Sequence, residues 1–388
     1  MGNFIYMDNA ATTKISPEVL DSMMPYLTDG YGNPSSIYSI GRESRKAVEN
    51  ARGQVAKALK CDVGEIYFTS GGSESDNWAI KGIAFANENK GKHIITTNIE
   101  HHAVLHTCKY LEKCGFEVTY LPVKSNGIVD INDLKNAIRK DTILISVMFA
   151  NNEIGSIQPI KEIGQIAKEN NIYFHTDAVQ AIGNIPINVN ELNIDLLSLS
   201  AHKFHGPKGV GVLYIRKGVN ISNMIHGGGQ EKNMRAGTEN VAGIVGLGKA
   251  IELATQDIQK KSEYLINLRE KLIKGIMDTI PDTILNGDAD NRLPGNINVC
   301  FKYIEGESIL LMLDMKGICA SSGSACTSGS LEPSHVLLAI GLPHEIAHGS
   351  LRLTLCAQNT LEDIEYILES LPPIVANLRS MSPLIYNK

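Results

Sequence analysis

A lysine just beyond a buried-looking apolar run is the first residue of this chain whose setting asks for chemistry. Lys203 lies in SLSAHKFHGPKGVGVLYI, among small residues and glycines. An amine in such a site can have its pKa lowered and act as a nucleophile toward aldehydes. The plainer alternative is a solvated loop lysine, which suits Lys208 better. Asp177 closes another apolar run, IYFHTD, twenty-six residues earlier. Alone it reads equally well as the cap of a helix starting at Ala178. Together with a strand-end lysine it reads as a carboxylate that keeps a pyridine nitrogen protonated, so that a bound ring becomes an electron sink.

Three further segments carry reactive or anion-binding groups. FTSGGSESDNWAI runs from a strand through glycines into a helix, so the backbone N–H groups of Gly72 and Ser73 would face an anion. Ser73 also fits an N-cap with Asp76 three residues on, and both uses share one helix end. In IEHHAVL, His101 follows the strand-like KHIITTN, where an imidazole can stack on an aromatic ring and shuttle protons near neutral pH. His102 reads as structural. The 7 cysteines (61, 108, 114, 300, 319, 326 and 356) form no CxxC pair, which argues against a zinc ribbon or a thioredoxin motif, and no metal site is expected. Cys300 in NVCF and Cys319 in GICA read as buried small hydrophobes. Cys326 is the exception, in the polar stretch SSGSACTSGS. Its Ser and Gly content predicts a mobile loop over about residues 321–332.

Elements that bring these groups together are legible around them. Seven β-rich runs, at 65–70, 92–98, 116–122, 142–150, 172–177, 195–200 and 209–215, alternate with 3.6-period segments such as INDLKNAIRK and IKEIGQIAKEN. Apolar runs separated by helices predict an α/β fold with a mainly parallel seven-stranded sheet covered on both faces. Ligands of such sheets bind beyond the C-terminal strand ends. A long helical region after Gly237 runs to Pro281, and a second β/α mixture follows. The expected organisation is a large domain over 16–257 and a smaller α/β domain built from 1–15 and 258–388.

The set DNAATT, GNPSS, TSGGSESDN, EHHAV, NNEIG, HTDAVQ, SAHKFHGPKGVG, HGGGQE, RAGTEN, LPGNINV and SSGSACTSGSLEPSHVL resembles the class V, fold-type I enzymes that use pyridoxal 5'-phosphate (PLP). Within them it resembles cysteine desulfurases of the NifS/IscS type, in order and over nearly the whole chain. The resemblance implies a homodimer that takes sulfur from L-cysteine, leaving L-alanine and a persulfide on Cys326. That sulfur would pass to acceptor proteins for iron–sulfur clusters or other thio-cofactors. It implies a Schiff base at Lys203, with Asp177 on the pyridine nitrogen, Gln180 on the phenolic oxygen and His101 stacked on the ring. Gly72, Ser73, Ser200 and His202 would hold the phosphate, with Thr238 of RAGTEN from the other subunit. Asn152 and Arg352 would position the substrate carboxylate, for which the planar guanidinium fork is suited. His101 is also the candidate for activating the Cys326 thiol, which at neutral pH is only a few per cent thiolate.

Departures from the pattern are specific. Tyr38 stands where many relatives carry histidine, and Cys356 where glycine is common; Cys356 is expected to be a small buried residue. The chain stops at SPLIYNK, where longer relatives carry a tail that contacts the iron–sulfur scaffold protein, so scaffold docking in that manner is not expected. A selenocysteine lyase is the chemically nearest alternative. A different fold-type I enzyme such as an aminotransferase needs no cysteine in SGSACTSGS, and a non-catalytic partner-binding subunit needs none of these residues.

Bulk properties narrow the classes further. With a formal charge of -6 and mixed surface charges, no basic footprint for nucleic acid is present. No basic region followed by an apolar run opens the chain, and no run approaches the roughly 20 apolar residues of a membrane span. Tyr6 stands where a myristoylation signal wants Ser or Thr. A cytoplasmic protein is expected.

Overall fold

The structure, a computed structural model, describes residues 4–322 and 333–382 of the 388. Its strands are β1 Ile5–Tyr6, β2 Ile66–Thr69, β3 His93–Thr97, β4 Glu117–Leu121, β5 Thr142–Ser146, β6 Tyr173–Asp177, β7 Leu196–Ser200, β8 Gly211–Ile215, β9 Thr283–Leu285, β10 Asn296–Phe301, β11 Ile318–Cys319 and β12 Ser350–Thr354. All seven apolar runs become strands of one sheet, ordered β2-β8-β7-β6-β5-β3-β4. Every pairing from β7 to β4 is parallel, and β8 alone runs against its neighbours β2 and β7.

Two-sided burial explains why these runs are continuously apolar rather than alternating. Ile95, Ile145 and Leu197 face one core, while their chain neighbours Ile94, Leu144 and Leu196 face the other. The period of two sends successive side chains to opposite faces, and helices cover both. The covering helix Ile160–Glu169 shows the matching helical period, burying Ile160, Ile163, Ile166 and Ala167.

A second sheet, β12-β10-β9, is antiparallel and packs with the helices Ile258–Thr279 and Leu361–Met381. Leu268, Leu272, Ile297, Leu353 and Ile367 lie in its core. β1 pairs in parallel with β11, tying the N-terminus to this part of the chain.

Two expectations are corrected. The long helical region is two helices, Val241–Thr255 and Ile258–Thr279, because Asp257 adopts a left-handed φ of 50° between them. The run at 142–150 is a strand only to Ser146. Beyond it Val147 and Phe149 still donate to the carbonyls of His175 and Asp177, which carries the extended chain on past the end of β6.

One buried ion pair fixes the segment that bears RAGTEN. Arg52 meets Glu231 through two bonds of 2.8 Å, with both side chains 3% exposed, and Glu231 also accepts from the Phe68 amide on β2. Removing one partner strands a buried charge, which costs about 3–5 kcal/mol. Arg52→Ala is therefore expected to lose that much stability in denaturant unfolding; a loss under about 1 kcal/mol would show the pair to be dispensable.

Candidate active site

The C-terminal edge of the large sheet gathers the chemistry-bearing residues. β2, β3, β5, β6 and β7 all end there, and the chain beyond each end supplies one part of the site. A cleft of about 370 Å³ is lined by Gly72, Ser73, His101, Asn152, Asp177, Gln180, Ser200, His202, Lys203 and Arg352, together with Ala10, Ala11 and Asp76. All but two of the expected site residues therefore line one cavity. Thr238 is exposed on its loop and not among the lining residues. Cys326 lies outside the described residues, as does most of the loop expected at 321–332.

Lys203 ends the short 3₁₀ turn Ala201–Lys203 that follows β7. Its Nζ donates to the carbonyls of Ala10 and, at 2.8 Å, Ala11. Gln180 donates to the same Ala10 carbonyl at 2.9 Å. Asp177 accepts from the Val179 amide at 2.9 Å; no helix starts at Ala178, so it caps a turn and faces the cleft. Burial pushes the Asp177 carboxyl up to about 6, although the Val179 amide and Lys203 pull it down.

The helix Gly72–Ala86 starts one residue before the expected cap: Gly71, not Ser73, is its N-cap, and Ser73 lies in the first turn. Gly71 has a φ of 153° and Gly72 leaves no room for a side chain, since a Cβ would lie 2.8 Å from Val179 Cγ2. First-turn amides without partners inside their helix thus approach the cleft closely, as an anion site requires. Ser200, at the end of β7, and His202 border the same end. His202 bonds Thr12 Oγ1 at 3.1 Å, and burial, then Lys203 and Lys208, lower its pKa to about 4.

His101 joins its structural and functional readings. It is the N-cap of the helix His102–Lys113, its Nδ1 accepting from the Ala103 amide at 3.2 Å. Burial, then Lys203, lowers its pKa to about 4, so the ring is neutral at pH 7 with its proton on Nε2. His102 meets the rings of His106 and His335 at 5.1 and 4.7 Å. Among the described residues no group of three or more His, Cys, Asp and Glu is arranged to hold a metal ion. Cys356 is half-buried, not enclosed, and lines a neighbouring cavity that Lys203 also borders.

Arg352, expected at the substrate carboxylate, and two buried acids given no catalytic role complete the surroundings of the site. Arg352, on β12, donates to the Asn152 carbonyl at 3.1 Å and to Asp8 at 2.8 Å. Asp76 is fully buried with its Oδ1 3.6 Å from His175 Nε2; burial, then Asp177, raises its pKa well above normal. Glu100, which accepts from Thr97 Oγ1 at 2.7 Å and the Met148 amide at 2.9 Å, is pushed by burial up to about 8. The native state therefore keeps a proton on Glu100 where the unfolded chain, near 4.5, has released it. Its contribution is present below about 4.5 and lost as pH rises through about 8. Raising pH across that window should cost the parent roughly 2–4 kcal/mol of unfolding free energy relative to Glu100→Gln. Parallel pH profiles for the two proteins would contradict the assignment.

Known proteins share this architecture and sequence. Residues 5–367 match the class-V aminotransferase family. The chain is 66% identical over 380 residues to the cysteine desulfurase IscS of Methanosarcina thermophila, covering 98% of this chain and 94% of that protein. A solved NifS-like protein superposes with a TM-score of 0.92 at 42% identity, covering 97% of this chain and all of that one. A structure of SspA in complex with cysteine gives 0.82 at 39%, covering 92% of this chain and 100% of that one. By sequence, fold and the gathering of residues at one sheet edge, the chain belongs to the class-V aminotransferase family and, within it, to the cysteine desulfurases.

Proposed function

We propose that this chain binds PLP at Lys203 and uses Cys326 to take sulfur from L-cysteine. The observation that carries the reading is the meeting of an amine, a buried carboxyl and a helix N-terminus in one cleft, each from a different strand end. PLP, when bound, supplies an aldehyde for the lysine and a ring that accepts electrons from the substrate Cα. The donor set fits it: Gly72, Ser73, Ser200 and His202 line the anion end, while Asp177 and Gln180 line the ring site. At pH 7 Asp177, at about 6, is mostly ionised and thus suited to a protonated ring nitrogen.

The residues then divide the work. Arg352, beside Asn152, takes the α-carboxylate of cysteine and so orients Cα toward Lys203. The Lys203 amine carries the Cα proton. Cys326, as thiolate, attacks the substrate sulfur; the Cβ–S bond breaks with its electron pair left on Cβ, which takes a proton. Alanine leaves, and the sulfur remains on Cys326 as a persulfide. His101, neutral at pH 7, lines the cleft, where it would stack on the ring and relay protons between substrate and the Cys326 thiol.

Supporting geometry lies at both described ends of the Cys326 segment. Ser321 exchanges backbone bonds with Arg352, and Ser334 donates to the buried Glu153 beside Asn152. Cys326 is five residues from Ser321, a reach of at most roughly 17 Å. We also read a homodimer, with large and small domains dividing near residues 16 and 257. Leu20, Met24 and Leu27 form an exposed apolar stripe on the helix Pro17–Leu27, near the exposed Tyr31 and Ile37. Thr238 would complete the phosphate site of the partner subunit, and the persulfide would pass to an acceptor protein.

Incubation of PLP-loaded protein with cysteine tests this directly, with alanine and sulfide measured together. Equal yields are expected from the wild type with a reductant, and a loss of at least 100-fold (about 3 kcal/mol at the barrier) from Cys326→Ala, which should retain the cofactor absorbance. Full turnover by Cys326→Ala would refute its role.

A further inference from the structure

Arg352 is held in a way that a carboxylate subsite does not need. Its side chain is 3% exposed, yet it already has a negative partner: Nη2 donates to Asp8 Oδ1 at 2.8 Å. Nη1 donates to the Asn152 carbonyl, and the buried Nε has no hydrogen-bond partner among the described residues. A guanidinium so buried requires a counter-charge. An incoming carboxylate meets a cation that is already neutralised, and must compete for it.

Asp8 is well placed to compete and to return. Its backbone is pinned: Asp8 bridges Thr354, the Thr354 amide donates to the Met7 carbonyl at 2.7 Å, and the Tyr6 hydroxyl donates to the Asp8 carbonyl at 3.1 Å. Its side chain is 18% exposed, more open than the arginine it holds. Two and three residues on, the Ala10 and Ala11 carbonyls hold Lys203 Nζ. One short N-terminal segment thus occupies both groups that the substrate must engage, the guanidinium for its carboxylate and the amine's surroundings for its nitrogen.

We propose that Asp8 is a positioning residue, the resident counter-ion of the substrate-carboxylate subsite: cysteine displaces it from Arg352, and it takes Arg352 back as alanine leaves. The inference rests on the assignment of Arg352 to the substrate carboxylate. The exchange is a swap of one carboxylate for another on the same N–H groups, so no net charge is buried. Its consequence is uniform: every simple carboxylate binds more weakly than a bare buried arginine would allow. Free anions and product then leave the cleft open to substrate.

Asp8→Asn tests the proposal, because its amide oxygen still accepts from Nη2 while the competing charge is gone. The probe is propionate, a carboxylate with neither amino nor thiol group, assayed on the PLP-loaded enzyme. Propionate should inhibit Asp8→Asn on the order of tenfold more tightly than wild type, the effect of removing one charge-assisted competitor. Alanine should inhibit more tightly too, KM for cysteine should fall, and kcat should not rise. Propionate should also raise the melting temperature of Asp8→Asn at concentrations that leave the wild type unmoved. Asp8→Glu, which keeps the charge, should behave as wild type, and Asp8→Ser is a second neutral variant should Asp8→Asn fail to fold. Unchanged propionate inhibition in the neutral variants overturns the proposal, as does weaker inhibition with a raised KM, which would make Asp8 only an orienting group. Arg352→Gln separates the two assignments. If propionate inhibits that variant as it does wild type, the carboxylate role of Arg352 fails, and the Asp8 proposal with it.

Discussion

Three carboxyl groups are buried at the C-terminal edge of the large sheet, and one amine faces them. Asp76, Glu100 and Asp177 each lose the solvation that keeps a carboxylate charged, and Asp177 raises both of the others. Lys203 lowers only Asp177 among the three. Burial and Asp177 favour the protonated forms of Asp76 and Glu100, while Lys203 favours the charged form of Asp177. A low dielectric and a single nearby cation therefore choose which acid is ionised. That choice favours a negative charge at the carboxyl proposed to meet a protonated ring nitrogen, while burial and Lys203 keep His101 and His202 neutral.

The sheet makes this crowding unavoidable. Parallel strands deliver all their C-terminal ends to one edge, so residues far apart in sequence converge there. Each local rule then serves the site. Gly71 and Gly72 let a helix end come close, Val147 and Phe149 prolong β5 past β6, and the 3₁₀ turn after β7 sets Lys203 over the cleft. The ion pair of Arg52 with Glu231 lies away from the cleft, fixing the segment that carries Thr238.

Much of this was legible in the residues. Continuous apolar runs marked all seven strands because two-sided burial removes alternation, and Lys203, Asp177 and Gly72 were visible because each follows such a run. What escaped did so for physical reasons. The break at Asp257 has no Gly or Pro to announce it, since an aspartate can adopt left-handed backbone. Ser73 looked like a cap because serine usually is one, whereas close packing against Val179 made the glycines start the helix. The N-terminal segment from Asp8 to Thr13 carries no periodic signal. Its bonds to Lys203, His202 and Arg352 span some 190 to 345 residues of sequence, a separation that no local pattern encodes. The motif DNAATT flagged the segment without saying what it holds. Asp76 and Glu100 were hidden for a related reason, because a buried acid looks like a surface one until its neighbours are known.

Every function assigned here passes through the side chain of residue 203. Reducing the PLP-loaded protein with borohydride, digesting it and sequencing the labelled peptide by mass spectrometry tests that most directly. A pyridoxyl group on Lys203 is the predicted result; an unmodified Lys203 with the label on Lys208 or elsewhere would contradict the account.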